Sequence, residues 1–218
     1  LFRSIAVNGV VFDPFAAEWW RGDPNSGWQY EPQSGAIDLG LDDHNAHVQP
    51  NGAYHYHGIP NGLLKRLAGD GKKMTLLGWA ADGFPIYGSK EPDGSAMLPL
   101  DEYNGHAYKG SYHYHATTKY PYFMGAMRGK VSLDPSTPAP ENQILPQAKS
   151  TGVRPALTAL KGASITNFKP TGTNAFSLEY TLDAQKAYVN YSWDNTGLYT
   201  FTFIGTDGKS TATKYVKK

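Results

Sequence analysis

The feature that most constrains this chain is a histidine motif that occurs twice. The first copy has Asn-Ala-His at 45–47 and Tyr-His-Tyr-His at 54–57, and the second has Asn-Gly-His at 104–106 and Tyr-His-Tyr-His at 112–115. All seven histidines of the chain lie between positions 44 and 115, and six of them belong to these copies. The repetition predicts two matching structural units, each with its own set of three histidines.

Within each Tyr-His-Tyr-His segment the residues alternate with the period of a β-strand. The two histidines then share one face of the strand, and the two tyrosines share the other, where we expect them to pack. Histidines on one strand face lie roughly 6–7 Å apart at Cβ, close enough to bind one metal ion. The remaining histidine of each copy lies across a glycine-containing turn and can complete three ligands. The predicted metal ligands are His47, His55, His57, His106, His113 and His115.

The motif leaves the identity and number of the sites open. Three neutral imidazoles with a free fourth position are typical of catalytic zinc sites, and imidazole also suits copper, iron and nickel. We expect copper or zinc. The competing interpretation is that the histidines are hydrogen-bonded structural residues. In one arrangement each copy forms its own site. In the other, the copies pair about a pseudo-two-fold axis and all six histidines line one cleft.

Residues next to the motif suggest auxiliary roles. His44 has no counterpart in the second copy, where Tyr103 stands, so we expect it to lie outside the metal sites. Acidic residues at 42, 43, 101 and 102 precede the Asn-x-His segments and could orient the histidines. Asp82 could act as a general base, but an aspartate before glycine is also an ordinary turn residue, and we favour the turn.

Composition excludes several classes of protein. The chain has no cysteine, so any metal must be bound by histidine or oxygen ligands. Lys plus Arg (20) balance Asp plus Glu (19) without a basic run, which argues against a nucleic-acid partner. No segment approaches the roughly 18 apolar residues of a membrane span. No nucleotide or phosphate fingerprint is present, which leaves a metal ion as the expected cofactor.

Glycine, proline and aromatic residues indicate a mainly β fold with many turns. We predict a loop-rich domain of short strands over residues 1–131, a proline-rich linker over 132–162, and a small antiparallel β-sandwich-like unit over 163–218. The first domain should contain a hairpin at 8–9, a helix-like segment at 63–67 and a buried strand at 74–81, apolar on both faces. In the last unit we expect strands near residues 163–168, 175–182, 187–193, 198–204 and 211–216.

Two separated segments, 52–58 with the first Tyr-His-Tyr-His and 78–88 with Gly-Trp-Ala-Ala-Asp-Gly-Phe-Pro-Ile-Tyr-Gly, resemble the YHYH domain family. The resemblance covers about residues 1–131. It implies an exported, bacterial-type protein, secreted or periplasmic, in a family whose activity is poorly defined. Because the chain starts at Leu1, we also expect a processed form from which a signal peptide has been removed.

The sequence therefore favours an exported protein that binds a transition metal, and it does not decide whether the protein is an enzyme. One alternative is a metal-dependent hydrolase or copper oxidoreductase acting on an extracellular substrate. The other is an extracellular module that binds a small molecule or polysaccharide through its aromatic residues, with structural histidines.

Overall fold

A computed structural model describes residues 4–16, 18–49, 52–68, 75–91, 93–136, 144–145, 153 and 160–216. The chain divides into two compact units, one of Leu1–Val48 with Tyr54–Lys149 and one of Gln49–Ala53 with Ser150–Lys218. The domain boundaries expected near residues 131 and 162 remain predictions, because most of the proline-rich segment lies outside the described residues.

The first unit is built on one eight-stranded sheet with a single α-helix, α1 (Asn61–Ala68), between its fourth and fifth strands. The helix includes the segment expected at 63–67. The strands are β1 (Ser4–Ala6), β2 (Val11–Phe12), β3 (Ala46–Val48), β4 (Tyr54–Tyr56), β5 (Leu76–Ala80), β6 (Pro85–Tyr87), β7 (Gly105–Tyr108) and β8 (Ser111–His115). A separate pair consists of β9 (Ser132–Leu133) and β10 (Ile144–Leu145).

The order of the sheet, β3-β4-β2-β1-β5-β6-β8-β7, is symmetric about the antiparallel pair β1–β5. In each half a hairpin (β1–β2 or β5–β6) is followed by a second hairpin (β3–β4 or β7–β8). The parallel pairs β2–β4 and β6–β8 connect them, with Phe12 opposite Tyr56 and Ile86 opposite Tyr114. The internal repeat is therefore longer than the histidine motif and includes the Asn8-Gly9 hairpin, whose counterpart is Asp82-Gly83.

The two faces of the sheet differ in character. On one face Tyr56 and Tyr114 enter a core with Phe12, Ile86 and Phe123, so the tyrosines pack as predicted. The other face carries the histidines. Along the middle strands of the sheet it carries two apolar side chains that stay partly in solvent, Ile5 (37% exposed) and Trp79 (47% exposed). The segment 74–81 does supply a central strand, but the prediction that both of its faces are buried is wrong.

The second unit is a five-stranded antiparallel sheet in sequential order. Its strands are β11 (Ser164–Gly172), β12 (Ala175–Leu182), β13 (Gln185–Trp193), β14 (Leu198–Ile204) and β15 (Ser210–Val216). The five predicted strands are confirmed, and so is the mainly β fold. The sandwich-like arrangement is corrected for the described residues: short hairpins pair each strand with its predecessor, which produces one layer instead of two. Among the described residues, no helix is long and apolar enough to cross a bilayer.

Candidate metal centres

Each histidine set is held by a turn whose sequence explains its shape. In the first copy Asp42 accepts backbone hydrogen bonds from His44 and Ala46 at its Oδ1 (2.8 and 3.1 Å), and Asn45 adopts a left-handed conformation (φ 56°). Asparagine tolerates this conformation better than most residues. The carbonyl of Asn45 then accepts the backbone N–H of His57 (2.7 Å), which connects the turn to the histidine strand.

The second copy repeats these contacts. Asp101 accepts backbone hydrogen bonds from Tyr103 and Gly105, and Asn104 is left-handed (φ 66°). The backbone N–H of His115 donates to the carbonyl of Asn104 (3.0 Å), and the Asn104 side chain donates to the carbonyl of His115 (2.9 Å). The Asn-x-His part of the motif therefore serves to position the strand that carries the other two histidines.

The first cluster brings together the three histidines predicted for the first copy. The Nε2 atom of His57 lies 3.0 Å from Nε2 of His55 and 3.0 Å from Nε2 of His47. His55 and His57 are buried, and His47 is half-buried. The Nδ1 atom of His47 donates to the carbonyl of Leu39 (2.7 Å), so its Nε2 has only a lone pair to offer when the ring is neutral.

The second cluster contains the corresponding three histidines and one carboxylate. The Nε2 atoms of His106, His113 and His115 lie 3.0 to 3.2 Å from one another. Oε1 of the fully buried Glu91 lies 3.2 Å from Nε2 of His106, and the carboxylate lies 3.8 Å from Nε2 of His113 and of His115. Nδ1 of His115 donates to the carbonyl of Gly88 (2.5 Å), which again turns its Nε2 inward.

Burial keeps the inward-facing imidazoles neutral. It lowers the pKa of His57 to about 3, helped by the neighbouring His55 and His47 and opposed by a backbone contact from Asp13. Burial also lowers the pKa of His113 to about 4, with His115 and His106 adding to the effect. The pKa of His115 is lowered mainly by burial as well. Neutral imidazole is the form in which histidine binds metal ions.

The spacing of the nitrogen atoms suits a single ion in each cluster. With metal–nitrogen bonds of about 2.0–2.1 Å, nitrogens 3.0–3.2 Å apart subtend angles of about 90–105° at the ion. These angles fall between octahedral and tetrahedral coordination. Lone pairs that point at one another across 3 Å repel unless a proton or a cation lies between them. Both groups, one of three histidines and one of three histidines with Glu91, are geometrically able to hold a metal ion.

The structure decides between the two arrangements that the sequence left open. The strands β4 and β8 are five interstrand steps apart in the sheet, or roughly 24 Å along it at about 4.8 Å per step. The six histidines therefore form two separate clusters. Both open on the same face, because an axis through the antiparallel β1–β5 pair and perpendicular to the sheet exchanges the two halves without exchanging the faces.

The remaining residues singled out in the sequence have structural roles. His44 lies outside both clusters and accepts the backbone N–H of Gly62 at the start of α1 (3.1 Å). Asp82 lies on the tyrosine side, where it accepts the hydroxyl of Tyr114 (2.5 Å) and the backbone N–H of Gly129 (2.9 Å), so the turn interpretation fits.

The acidic residues before the Asn-x-His segments do not orient the histidines through any described contact. Asp42 and Asp101 instead shape the turns and accept the hydroxyls of Tyr54 and Tyr112. Backbone carbonyls take the orienting role at His47 and His115.

Glu91 is the potential ligand that sequence reasoning missed. It stands in Ser89-Lys90-Glu91-Pro92-Asp93-Gly94, a run of polar and turn residues that indicates an exposed loop. In the structure its side chain is fully buried, and its Oε1 accepts the backbone N–H of Leu98 (2.8 Å). No local pattern marks this glutamate, because its burial depends on the return of the chain at Leu98 and on the distant strands β7 and β8.

A two-fold sheet with a histidine cluster near each end defines a β-rich protein with potential metal centres. Residues 2–98 match the model of the family described as YHYH protein, which confirms the resemblance over this range, and the chain contains a YHYH domain. The match includes the first cluster and Glu91 and ends before the second set of histidines. No curated protein matches the chain, and no solved structure matches it.

Proposed function

We propose that this chain is an exported protein that binds transition-metal ions, copper or zinc, at two separate histidine centres. The first centre uses His47, His55 and His57, and the second uses His106, His113 and His115 together with Glu91. The secreted or periplasmic location rests on the family resemblance. The choice of copper or zinc rests on the donor set of imidazoles without a thiolate.

The observation that carries the proposal is the convergence of three Nε2 atoms within about 3 Å in each cluster. Carbonyl partners at Nδ1 of His47 and His115 commit those rings to presenting a lone pair inward. Structural histidines would instead be expected to point donors at acceptors. The same construction occurs twice, so a chance approach of surface histidines is a poor explanation.

The polysaccharide alternative receives less support from the aromatic residues of the second unit. Their rings stack on one another, as Phe168 does on Phe176 at 5.4 Å and 2° and Phe176 on Tyr191 at 5.4 Å and 22°. Rings that cover each other's faces present edges outward, whereas a sugar packs on an exposed ring face. Metal binding therefore remains the proposal that more of the described contacts support.

Metal analysis tests the proposal directly. Protein purified without chelator and then loaded with Cu(II) or Zn(II) should retain close to two equivalents per chain, and at least about 0.5 equivalent as isolated. The double variant H55A/H57A should lose one equivalent because it removes two ligands of the first centre. H113A/H115A should lose the other equivalent. Elemental analysis after gel filtration gives the stoichiometry.

The matched control is H44A, which removes the one histidine outside both clusters and should retain the full metal content. Folded protein that retains neither copper nor zinc after loading would overturn the proposal. So would a loss of metal in H44A equal to that in the double variants, since the binding would then be nonspecific.

A further inference from the structure

We propose that the two centres differ in coordination. The second is completed from within the chain by Glu91, and the first keeps a position for a small exogenous anion of the carboxylate class. This inference rests on the proposed function and adds to it the ligand chemistry of each centre. Its basis is an asymmetry between two halves that are otherwise built alike.

The first step concerns the carboxylate of the second centre. Glu91 is fully buried and accepts only the backbone N–H of Leu98, at Oε1, while its Oε2 has no hydrogen-bond partner among the described residues. A buried carboxylate in this situation is costly unless a cation compensates it. Its nearest charged or polar neighbours on the open side are the three converging imidazoles. Glu91 is therefore placed to be the fourth ligand of this centre.

The second step is the missing counterpart in the first half. The parallel pairings of Phe12 with Tyr56 and of Ile86 with Tyr114 make Phe12 and Ile86 equivalent. Counting five residues onward from each leads to Ala17 and Glu91. Alanine has no ligand atom. Within the described part of the chain, no carboxylate joins His47, His55 and His57 in a group close enough to share an ion.

The third step is the charge that each centre would carry. A divalent ion with three neutral imidazoles keeps its full charge of +2, whereas the carboxylate of Glu91 reduces the charge of the second centre to +1. Both clusters are largely buried, where an uncompensated charge attracts an anion strongly. The first centre should therefore take its anion from solution, past the half-buried ring of His47. A carboxylate is the class expected, because Glu91 supplies that group at the equivalent place.

Single-centre variants loaded with one equivalent of Cu(II) test this difference, with azide and acetate as probes. H113A/H115A retains the first centre, and H55A/H57A retains the second. Azide binding is followed by the azide-to-copper charge-transfer band, and acetate binding by competition with azide. We expect the first centre to bind azide at least about tenfold more tightly, which corresponds to about 1.4 kcal/mol. Acetate should displace azide from the first centre.

Substitution of Glu91 tests the reason for the difference. In the H55A/H57A background, E91A should raise the azide affinity of the second centre to within about threefold of that of the first, because it recreates an open position. E91Q keeps the side-chain volume and the acceptor for Leu98 while removing the charge, so it should raise azide affinity even where E91A folds poorly. The control E18A changes an exposed glutamate of the first half and should leave both centres unchanged.

The outcomes separate the two proposals. Copper retained at both centres with equal azide affinity, or a second centre unaffected by both E91A and E91Q, overturns the coordination difference alone. Copper retained at neither centre overturns the proposed function and this inference with it.

Discussion

At the residue scale, the asparagine of each Asn-x-His segment acts through its conformation and its hydrogen bonds. Asn104 occupies a left-handed conformation that costs most residues with a Cβ roughly 1 kcal/mol. It also exchanges two hydrogen bonds with the backbone of His115. Asparagine satisfies both requirements, so the residue that precedes the first histidine of each cluster by two positions is a positioning residue.

Replacing Asn104 separates its two contributions. Asn104→Gly keeps the left-handed backbone and loses the side-chain hydrogen bond, so it should lower the free energy of unfolding by about 1 kcal/mol. Asn104→Ala loses the hydrogen bond and adds conformational strain, for a total of about 2 kcal/mol. Urea unfolding of metal-free protein measures both values. A free energy of unfolding for Asn104→Ala equal to or above that for Asn104→Gly would show that the left-handed conformation is not what selects asparagine here.

At the scale of elements, the antiparallel pair β1–β5 joins the two halves of the sheet. Its close packing depends on Gly78, where an added Cβ would lie 2.2 Å from the carbonyl oxygen of Ile5 and 2.7 Å from the ring of Phe12. The carbonyl belongs to the neighbouring strand and cannot move without disturbing the ladder. The strands of the two repeats therefore approach each other at Gly78 too closely for a side chain to fit.

Gly78→Ala should consequently lower the free energy of unfolding of the first unit by about 3 kcal/mol, because the added methyl group forces strands β1 and β5 apart. The matched control is Gly88→Ala on the same sheet, where the nearest atom, Cδ1 of Leu64, lies at an ordinary 3.4 Å. This control should change stability by less than about 1 kcal/mol. Thermal unfolding followed by circular dichroism measures both, and similar losses in the two variants would contradict the tight approach at Gly78.

At the scale of the whole molecule, the core of the first unit is apolar and independent of the histidine face. Phe12, Tyr56, Tyr114 and Phe123 pack on the side of the sheet away from the clusters. Metal ions should therefore stabilise a sheet that already folds without them, in contrast to small domains whose folding depends on the metal. Binding raises stability by mass action, by about 2.7 kcal/mol for each site at a free-ion concentration 100 times its Kd.

Removal of metal by a chelator should accordingly lower the melting temperature of loaded protein while leaving its far-ultraviolet circular dichroism at room temperature unchanged. H55A/H57A and H113A/H115A should each show a smaller chelator-induced shift than the unaltered protein, and H44A should show the full shift. Loss of the β-sheet signal on chelation would mean that the clusters are required for folding, contrary to the independent core.

The sequence by itself determined what depends on neighbours along the chain. The two-residue alternation of Tyr-His-Tyr-His sends Tyr114 into the core and His113 and His115 to the opposite face, because a strand has this period whatever surrounds it. The hairpin at Asn8-Gly9 and the five strands of the second unit follow from equally local patterns. The grouping of three histidines in each copy also follows, since a strand and a nearby turn are enough to bring them together.

Only the tertiary structure decided how the two copies relate and what completes them. The parallel pairings β2–β4 and β6–β8 are long-range contacts that no local period specifies. They separate the clusters and leave Trp79 exposed between them on a strand that the sequence indicated to be buried. Glu91 reaches the second cluster from a loop of polar residues, because the burial of a charged side chain depends on partners distant in sequence.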